Sequence, residues 1–262
     1  MMVIAGTHTL LGQNLISKLN EENFNYLILV DENESPPQEH SKIRYWHYVQ
    51  EVHLSNWLAE NAEEIEFVFW CKIDVLLSKN SLFTDIWQQC HQHQIPLIFS
   101  SSDPSMESWI QEQPQPFFWA GLQVSAIYGL PPKSISGEQL TEDQLIERLT
   151  TSIQYPVNQL NKNTYMLTFV QDMVDVIYFF IRHRQHAGCY EMPCHHTDVL
   201  PFKSLAQQVL RNEASPPPMP WSAQSLSAFA ALQTIGYDKQ FCSLPEGIDQ
   251  LVKNYLASDR YI

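Results

Sequence analysis

The first twelve residues, Met1–Gly12 (MMVIAGTHTLLG), decide how this chain folds. The apolar run Met2–Ala5 predicts a short buried strand, and the glycine at position 6 then permits a tight turn. Apolar side chains follow at helical spacing, at Leu10, Leu11, Leu15, Ile16 and Leu19. The order of strand, glycine turn and helix is typical of the first unit of a parallel sheet with helices on its faces.

Further apolar runs predict the remaining strands. They lie at residues 26–30, 66–70, 95–99, 121–128 and 166–170. Helical patterns occupy residues 82–94, 141–151 and 172–182, and two small helices are predicted between residues 225 and 255. Continuously apolar strands that alternate with helices indicate a parallel sheet buried on both faces.

These elements predict the fold class and its division. We predict an α/β protein with a Rossmann-type, doubly wound parallel sheet and a small C-terminal α/β lobe. The sheet domain takes residues 1–128 and 164–187, and the small lobe takes residues 129–163 and 188–262. The glycine and prolines of residues 129–132 predict a break in regular structure at the first boundary, and the proline-rich stretch 215–218 predicts a linker.

Composition excludes several partners. The net charge of −14 predicts a surface that repels nucleic acid and anionic lipid. No apolar run approaches the roughly 20 residues needed to cross a bilayer, and the N-terminus carries no basic region typical of a signal peptide. Five scattered cysteines without a CxxC pair favour reduced thiols, so we expect a cytoplasmic protein.

The turn after the first strand predicts a nicotinamide dinucleotide site. In such a site the pyrophosphate lies at the N-terminus of the following helix, and an acidic residue about 20 residues on binds the ribose. The predicted contacts are Gly6, Thr9, Leu10, Leu11, Gly12 and Asp31. A carboxylate at Asp31 favours NAD over NADP, because it can accept hydrogen bonds from both ribose hydroxyls.

Thr9 is the weak point of this prediction. It stands where a middle glycine would let the backbone approach the phosphates, and a β-branched residue disfavours positive φ. We therefore expect Thr9 to obstruct the cofactor. The alternative is a turn that keeps its shape and binds no cofactor.

Four segments resemble the extended short-chain dehydrogenases/reductases that act on sugar nucleotides, the NAD-dependent epimerase/dehydratase family. They are Met1–Asp31, Ile95–Ser102, Gly121–Gly129, and the C-terminal stretch Gly236–Lys239 with Leu244–Ile248, which is similar to the heptose epimerase branch. The resemblance implies a Rossmann fold, a nicotinamide cofactor and a nucleotide-sugar ligand. It also implies that Ser102 is the catalytic serine that hydrogen-bonds the reacting oxygen.

The family's Tyr-x-x-x-Lys pair is absent, because no tyrosine of this chain has a lysine four residues later. The resemblance places that pair, and the usual dimer contact, on a long helix after the serine. Here the interval Asp103–Trp119 holds three prolines and four aromatic residues and leaves space for about two helical turns. We therefore expect impaired catalysis and doubt the usual family dimer.

Other patterns have less specific interpretations. Tyr165 stands where the family's diphosphate-binding arginine would be. The aromatic group Trp109, Phe117, Phe118 and Trp119 is interpreted as packing rather than as a partner or ligand surface. The cysteines and histidines at 183, 186, 189 and 194–196 fit no standard zinc spacing, so we predict no metal site and interpret the histidines as solvated.

Three functional hypotheses remain open. The first is a catalytically impaired relative of sugar-nucleotide epimerases that binds NAD(H) or acts through a ligand or protein partner. The second is an active NAD-dependent epimerase or reductase with a relocated base, for which Asp103, Glu107, His8 and Tyr128 are the candidates. The third is a structural subunit with an empty cofactor cleft.

Overall fold

The computed structural model describes residues 1–22, 24, 26–30, 43–47, 51–73, 77–114, 116–131, 142–154, 164–211 and 220–258. The strands, in chain order, are β1 (Met2–Ala5), β2 (Tyr26–Val30), β3 (Ile43–His47), β4 (Phe67–Trp70), β5 (Leu97–Ser101), β6 (Trp119–Gln123), β7 (Ala126–Tyr128), β8 (Thr164–Phe169), β9 (Gly188–Glu191) and β10 (His195–Asp198). The helices are α1 (Leu10–Glu21), α2 (Glu51–Glu60), α3 (Ser81–His93), α4 (Met106–Gln111), α5 (Glu142–Thr151), α6 (Val170–Arg182), α7 (Val199–Leu210), α8 (Ala223–Thr234) and α9 (Leu244–Ser258). Short 3-10 turns lie at Ala62–Glu64 and Leu77–Lys79.

The large sheet is parallel throughout and follows the order β3-β2-β1-β4-β5-β6-β9. The chain begins at β1 in the middle, winds outward to β3 and then returns to fill the other side. This reversal places the carboxyl ends of β1 and β4 at the switch point where ligands bind in open α/β sheets. The predicted α/β fold with a Rossmann-type sheet is confirmed.

Both faces of the large sheet are buried, as the continuous apolar strands predicted. Met2 and Ile4 of β1 belong to one core, together with side chains of α1 and α6. Val3 and Ala5 point to the opposite face and belong to a second core with side chains of α3. Because successive side chains of β1 point to opposite faces, the large sheet packs against one layer of helices on each face.

The second sheet corrects one predicted strand. Residues 121–128 were predicted as a single strand, but the run is broken at Val124–Ser125. Its first part, β6, pairs with β5 in the large sheet, and its second part, β7, pairs with β8 in a three-stranded sheet of order β10-β8-β7. The break was not apparent from the sequence because both parts carry buried apolar side chains.

The limits of the two sheets differ from the predicted domain boundaries. The strand β7 and the strand β8 were assigned to the large sheet, yet both lie in the small one. The strand β9 was assigned to the small lobe but pairs with β6 at the edge of the large sheet. The chain therefore crosses between the sheets around residues 124, 170 and 192, and the division into two lobes stays a prediction.

The aromatic residues of the shortened interval pack as predicted. The ring of Trp87 on α3 contacts Trp109, Phe117 and Trp119, with centroids 5.0–5.7 Å apart. Phe99 joins this group, and its ring lies so close to Gly121 that a Cβ there would stand 2.5 Å from it. We call Trp87, Phe99, Trp109, Phe117 and Trp119 the aromatic plug.

No helix among the described residues is long and apolar enough to cross a membrane.

Candidate functional site

The turn between β1 and α1 is built by two glycines. Gly6 has φ +81°, a conformation that L side chains rarely adopt, and a Cβ there would stand 2.8 Å from Cγ of Lys72. A Cβ on Gly12 would stand 2.2 Å from the carbonyl oxygen of Gly6. The turn therefore has the backbone geometry that a Rossmann phosphate site requires.

Thr9 does not strain this turn, contrary to the prediction. Its φ is −72°, and it is the N-cap residue of α1. Its hydroxyl accepts a hydrogen bond from the Gly12 N–H (3.0 Å) and lies within donor distance of the carbonyls of Gly6 (2.7 Å) and Cys71 (2.9 Å). The expected conflict with a positive φ is wrong. Helix α1 begins at Leu10, so Thr9 takes the N-cap position, where the backbone is extended and φ is negative.

The first amide of α1 has an unexpected partner. The Leu10 N–H donates a hydrogen bond to Oε1 of Gln154, at 3.1 Å. Gln154 is 144 residues away in the chain, just after α5. The side chains of Thr7, Leu10 and Leu11 are also buried, at 5%, 6% and 1% exposure. At the N-terminus of α1, where the pyrophosphate is predicted, one backbone amide thus already has a partner within the protein.

Asp31, the predicted ribose-binding residue, lies outside the described residues. The preference for NAD over NADP therefore stays a prediction.

A pocket of about 150 Å³ opens at the carboxyl ends of β5, β6 and β9. Its lining is rich in hydroxyl, amide and sulfur groups and has no lysine, arginine or histidine among the described residues: Ser101, Ser102, Asp103, Pro104, Gln123, Val124, Ser125, Met166, Glu191, Met192, Cys194, Gln224 and Ser225. The predicted serine, Ser102, is in this wall. Its Oγ is buried and has no hydrogen-bond partner in the described part of the chain.

The helix after β5 is as short as predicted. The helix α4 has six residues, Met106–Gln111, and contains neither tyrosine nor lysine. No tyrosine lines the pocket in the described part of the chain. Ser102 therefore faces the pocket without the phenol and the ammonium group that the family resemblance would place beside it.

Asp103 is a structural residue and not a free base. Its carboxylate accepts four hydrogen bonds, from the backbone N–H and the hydroxyl of both Ser78 and Ser105, at 2.6–3.0 Å. Burial by itself would raise the pKa of this carboxyl, but these hydrogen bonds lower it below its ordinary value. With its lone pairs engaged, Asp103 fixes the loop that leads into α4.

The other candidate bases lie elsewhere. Tyr128 is fully buried between Phe169 and Phe202, and burial raises the pKa of its phenol far above the ordinary value. Glu107 and His8 have exposed side chains outside the pocket wall. Tyr128 therefore packs in the core and does not line the pocket.

The histidine-rich segment is only partly solvated. His195 is 3% exposed and lies against the ring of Trp221, with centroids 3.8 Å apart. Burial lowers the pKa of this imidazole to about 4, so the prediction of a solvated side chain is wrong here. Within the described ranges, no three His, Cys, Asp or Glu residues are placed to share a metal ion.

Three residues of the candidate site were not predicted from the sequence. Ser125 lies at the break between β6 and β7, Glu191 ends β9, and Gln154 follows α5. Two of them line the pocket, and Gln154 covers the first turn. A polar residue at the end of a parallel strand was a usable signal for Glu191, whereas no local pattern marks Gln154.

Comparison with known proteins gives one curated relative and many similar folds. No family model matches the chain. The ADP-L-glycero-D-manno-heptose-6-epimerase of Fusobacterium nucleatum is 24% identical over 341 aligned positions, which span 99% of this chain and 99% of that protein. Because this chain has only 262 residues, that relative carries segments with no counterpart here.

Solved structures agree with this relative. The UDP-glucose 4-epimerase of Thermotoga maritima, solved with UDP-glucose, has a TM-score of 0.60 at 14% identity and covers 99% of both chains. Gre2 of Candida albicans, solved with NADPH, has a TM-score of 0.65 at 9% identity and covers 98% of both chains. Other neighbours with similar scores were solved with NAD.

The resemblance drawn from the sequence is therefore confirmed: this chain has the fold of the NAD-dependent epimerases and dehydratases of the extended short-chain dehydrogenase/reductase family.

Proposed function

We propose that this protein binds a nicotinamide dinucleotide and a sugar-nucleotide type of ligand in an epimerase-like cleft, with strongly impaired turnover. The observation that carries the proposal is the six-residue helix α4 beside Ser102. The parallel sheet that forms the cleft is present. The helix α4, at the position where the family carries the catalytic tyrosine and lysine, is too short to carry them.

The first turn fits the cofactor in shape. Gly6 lets the backbone turn with a positive φ, Gly12 lets α1 pack closely against that turn, and the N-terminus of α1 follows it directly. Gly6, Thr9, Leu10, Leu11 and Gly12 would surround the pyrophosphate. A bound nicotinamide would supply the hydride acceptor, and similar folds were solved with NAD or NADPH.

Impaired turnover follows from the missing proton acceptor. Oxidation of a secondary alcohol sends a hydride to the nicotinamide and releases the hydroxyl proton, which a nearby base must accept. Ser102 can hydrogen-bond the reacting oxygen but is no base at neutral pH. The Asp103 carboxylate beside it is already saturated by hydrogen bonds.

The proposal is tested by separating binding from chemistry. Dialysed protein is titrated with NAD, NADH, NADP and NADPH by calorimetry, and then incubated at high concentration with ADP-heptose and UDP-glucose. We expect dinucleotide binding without epimerisation, and without hydride exchange from deuterated NADH. Absence of binding would favour a structural subunit, and turnover at rates typical of enzymes, on the order of 1 per second or faster, would contradict impairment.

One observation supports the active alternative. Glu191 lines the pocket, and its carboxylate is exposed; among the described residues it accepts hydrogen bonds from the Gln224 amide alone, at 3.4 Å. It is the carboxylate in the described pocket wall that remains available to accept a proton. If turnover is found, Glu191→Gln should abolish it while dinucleotide affinity stays unchanged.

A further inference from the structure

We propose that the Gln154 side chain competes with the cofactor for the N-terminus of α1. Its side-chain oxygen accepts the hydrogen bond from the Leu10 N–H that a phosphate oxygen of the cofactor would otherwise accept. This inference rests on the proposed function, because it concerns access to the same dinucleotide site. It identifies Gln154, rather than Thr9, as the residue that limits cofactor affinity.

The contact lies at the position where a phosphate would bind. A helix has four N–H groups at its start without partners in the helix, and these attract anions. In α1 the Gly12 N–H is capped by the Thr9 hydroxyl and the Gln13 N–H donates to the Thr9 carbonyl. The Leu10 and Leu11 N–H groups are the amides that a ligand would use, and Oε1 of Gln154 accepts from the first of them.

The backbone of Gln154 is fixed, so its side chain is delivered to this position. The Gln154 N–H donates to the Ile127 carbonyl at 2.8 Å, and the Ile127 N–H donates to the Gln154 carbonyl at 3.1 Å. Two residues earlier, the Ser152 hydroxyl donates to the Gly129 carbonyl. The segment after α5 is thereby attached to β7 and to the loop that follows it.

The helix α1 makes a second contact with the chain after β7. Asn14 on the second turn of α1 donates from Nδ2 to the Leu130 carbonyl at 3.2 Å. A dinucleotide at the N-terminus of α1 would have to displace the Gln154 side chain from the Leu10 N–H.

The competition is expected to be moderate. The amide oxygen of glutamine is neutral and satisfies the Leu10 N–H with one hydrogen bond, worth about 1 kcal/mol net. A pyrophosphate carries charge that the helix N-terminus favours, so it can displace the amide when the side chain turns about its own torsions. Displacement then weakens binding by about threefold to tenfold.

The test compares two substitutions with opposite effects. Gln154→Ala removes the competing oxygen and should tighten NADH or NADPH binding by about threefold to tenfold. Gln154→Glu places a carboxylate of the same size at the helix N-terminus, which strengthens the contact and repels the pyrophosphate, so binding should weaken. Gln233→Ala, an exposed glutamine near the end of α8, is the matched control and should leave affinity unchanged.

A second measurement needs no ligand. Hydrogen exchange of the Leu10 amide should be slow in the wild-type protein and faster in Gln154→Ala, since the substitution leaves that N–H without its acceptor. Circular dichroism and the urea midpoint of each variant establish that the fold is retained.

The outcomes separate the two proposals. Equal dinucleotide affinity of the wild type and Gln154→Ala would overturn the role of Gln154 and leave cofactor binding intact. Absence of binding by every variant, tested with NADH, NADPH and inorganic pyrophosphate, would overturn cofactor binding and with it this inference. Tighter binding by Gln154→Ala together with weaker binding by Gln154→Glu would support both.

Discussion

The first turn and the carboxyl edge of β5 lie on the same sheet but differ in what they retain. At the first turn, Gly6, Thr9 and Gly12 keep the backbone geometry of a dinucleotide site. At the edge of β5, Ser102 faces a pocket, and the chain that follows forms only the six-residue α4 and part of the aromatic plug. The geometry of a binding site that is formed by the backbone depends on the packing of the sheet and changes only if the fold changes. Catalytic side chains carried by one helix can be absent while the fold is retained.

The largest expected effect tests whether the plug is structural. Trp87→Ala should lower the free energy of unfolding by about 3 to 5 kcal/mol, since it empties a fully buried site in contact with five aromatic rings. Urea denaturation measures this. Dinucleotide affinity at the first turn should be unchanged under conditions where the variant is folded.

Trp87→Phe serves as the control for that substitution. It keeps an aromatic ring and removes a buried indole N–H that has no acceptor in the described part of the chain, so its loss should be about 1 kcal/mol. A loss below about 1 kcal/mol for Trp87→Ala would show that the plug is not packing but an open surface.

The next effect tests the backbone of the first turn. Gly12→Ala should destabilise the protein by about 3 kcal/mol, because its Cβ would meet a backbone carbonyl oxygen at 2.2 Å and the sheet or α1 must move. Gly236→Ala is the comparison: Gly236 has φ +94° but no atom within 4 Å of an added Cβ, so conformational strain alone should cost about 1 kcal/mol. Equal losses would mean that α1 is not closely packed on the turn.

The two regions also differ in how they hold a buried aspartate. Asp103, at the edge of β5, has its pKa lowered by four hydrogen bonds that outweigh burial. Asp172, on α6, which packs against α1, accepts a hydrogen bond from the Cys242 N–H, but burial outweighs the hydrogen bonds and raises its pKa to about 7. The two carboxyls should therefore give opposite pH dependences of stability.

The Asp172 contribution falls as pH rises. Between its ordinary pKa of 3.8 and about 7, the folded state binds a proton that the unfolded state has released, so stability decreases across this window. Asp172→Asn should remove this decrease and make the protein about 2 kcal/mol more stable than the wild type at pH 8. Urea denaturation between pH 4 and pH 8 measures it, and an unchanged pH profile would contradict the buried ionisation.

Asp103→Asn should behave in the opposite way. At pH 7 the substitution should cost about 2 kcal/mol, because one amide oxygen cannot accept the hydrogen bonds that both carboxylate oxygens accept. As pH falls through the lowered pKa, the wild-type carboxylate is protonated and the difference between the two proteins should shrink. A difference that stays constant down to acid pH would rule out a charged Asp103 in the fold.

The smallest expected effect concerns Thr9. Because its φ is negative and its hydroxyl faces the turn, Thr9→Gly should change dinucleotide affinity by less than about twofold and stability by about 1 kcal/mol or less. Thr9→Ser, which keeps the cap, should change neither. Stronger binding by Thr9→Gly than by Gln154→Ala would restore Thr9 as the obstruction.

Much of the fold could be predicted from the sequence because the relevant signals are local. Continuous apolar strands, helical periodicity and the spacing of Gly6 and Gly12 indicated the Rossmann sheet and its first turn, and the prolines of Asp103–Trp119 indicated the short α4. The break at Val124–Ser125 was missed because the strands on either side of it, although in different sheets, both carry buried apolar side chains. The conformation of Thr9 was missed because the residue that caps a helix depends on where the helix begins.

The sequence by itself determined the scaffold and the absence of a tyrosine with a lysine four residues later, since both depend on which residues follow one another along the chain. Only the tertiary structure decided which groups meet at the ends of the strands. It paired Gln154 with an amide 144 residues away, saturated Asp103 with hydrogen bonds and buried His195 beside Trp221. Such contacts are made by side chains from distant elements, so no local pattern along the chain specifies them.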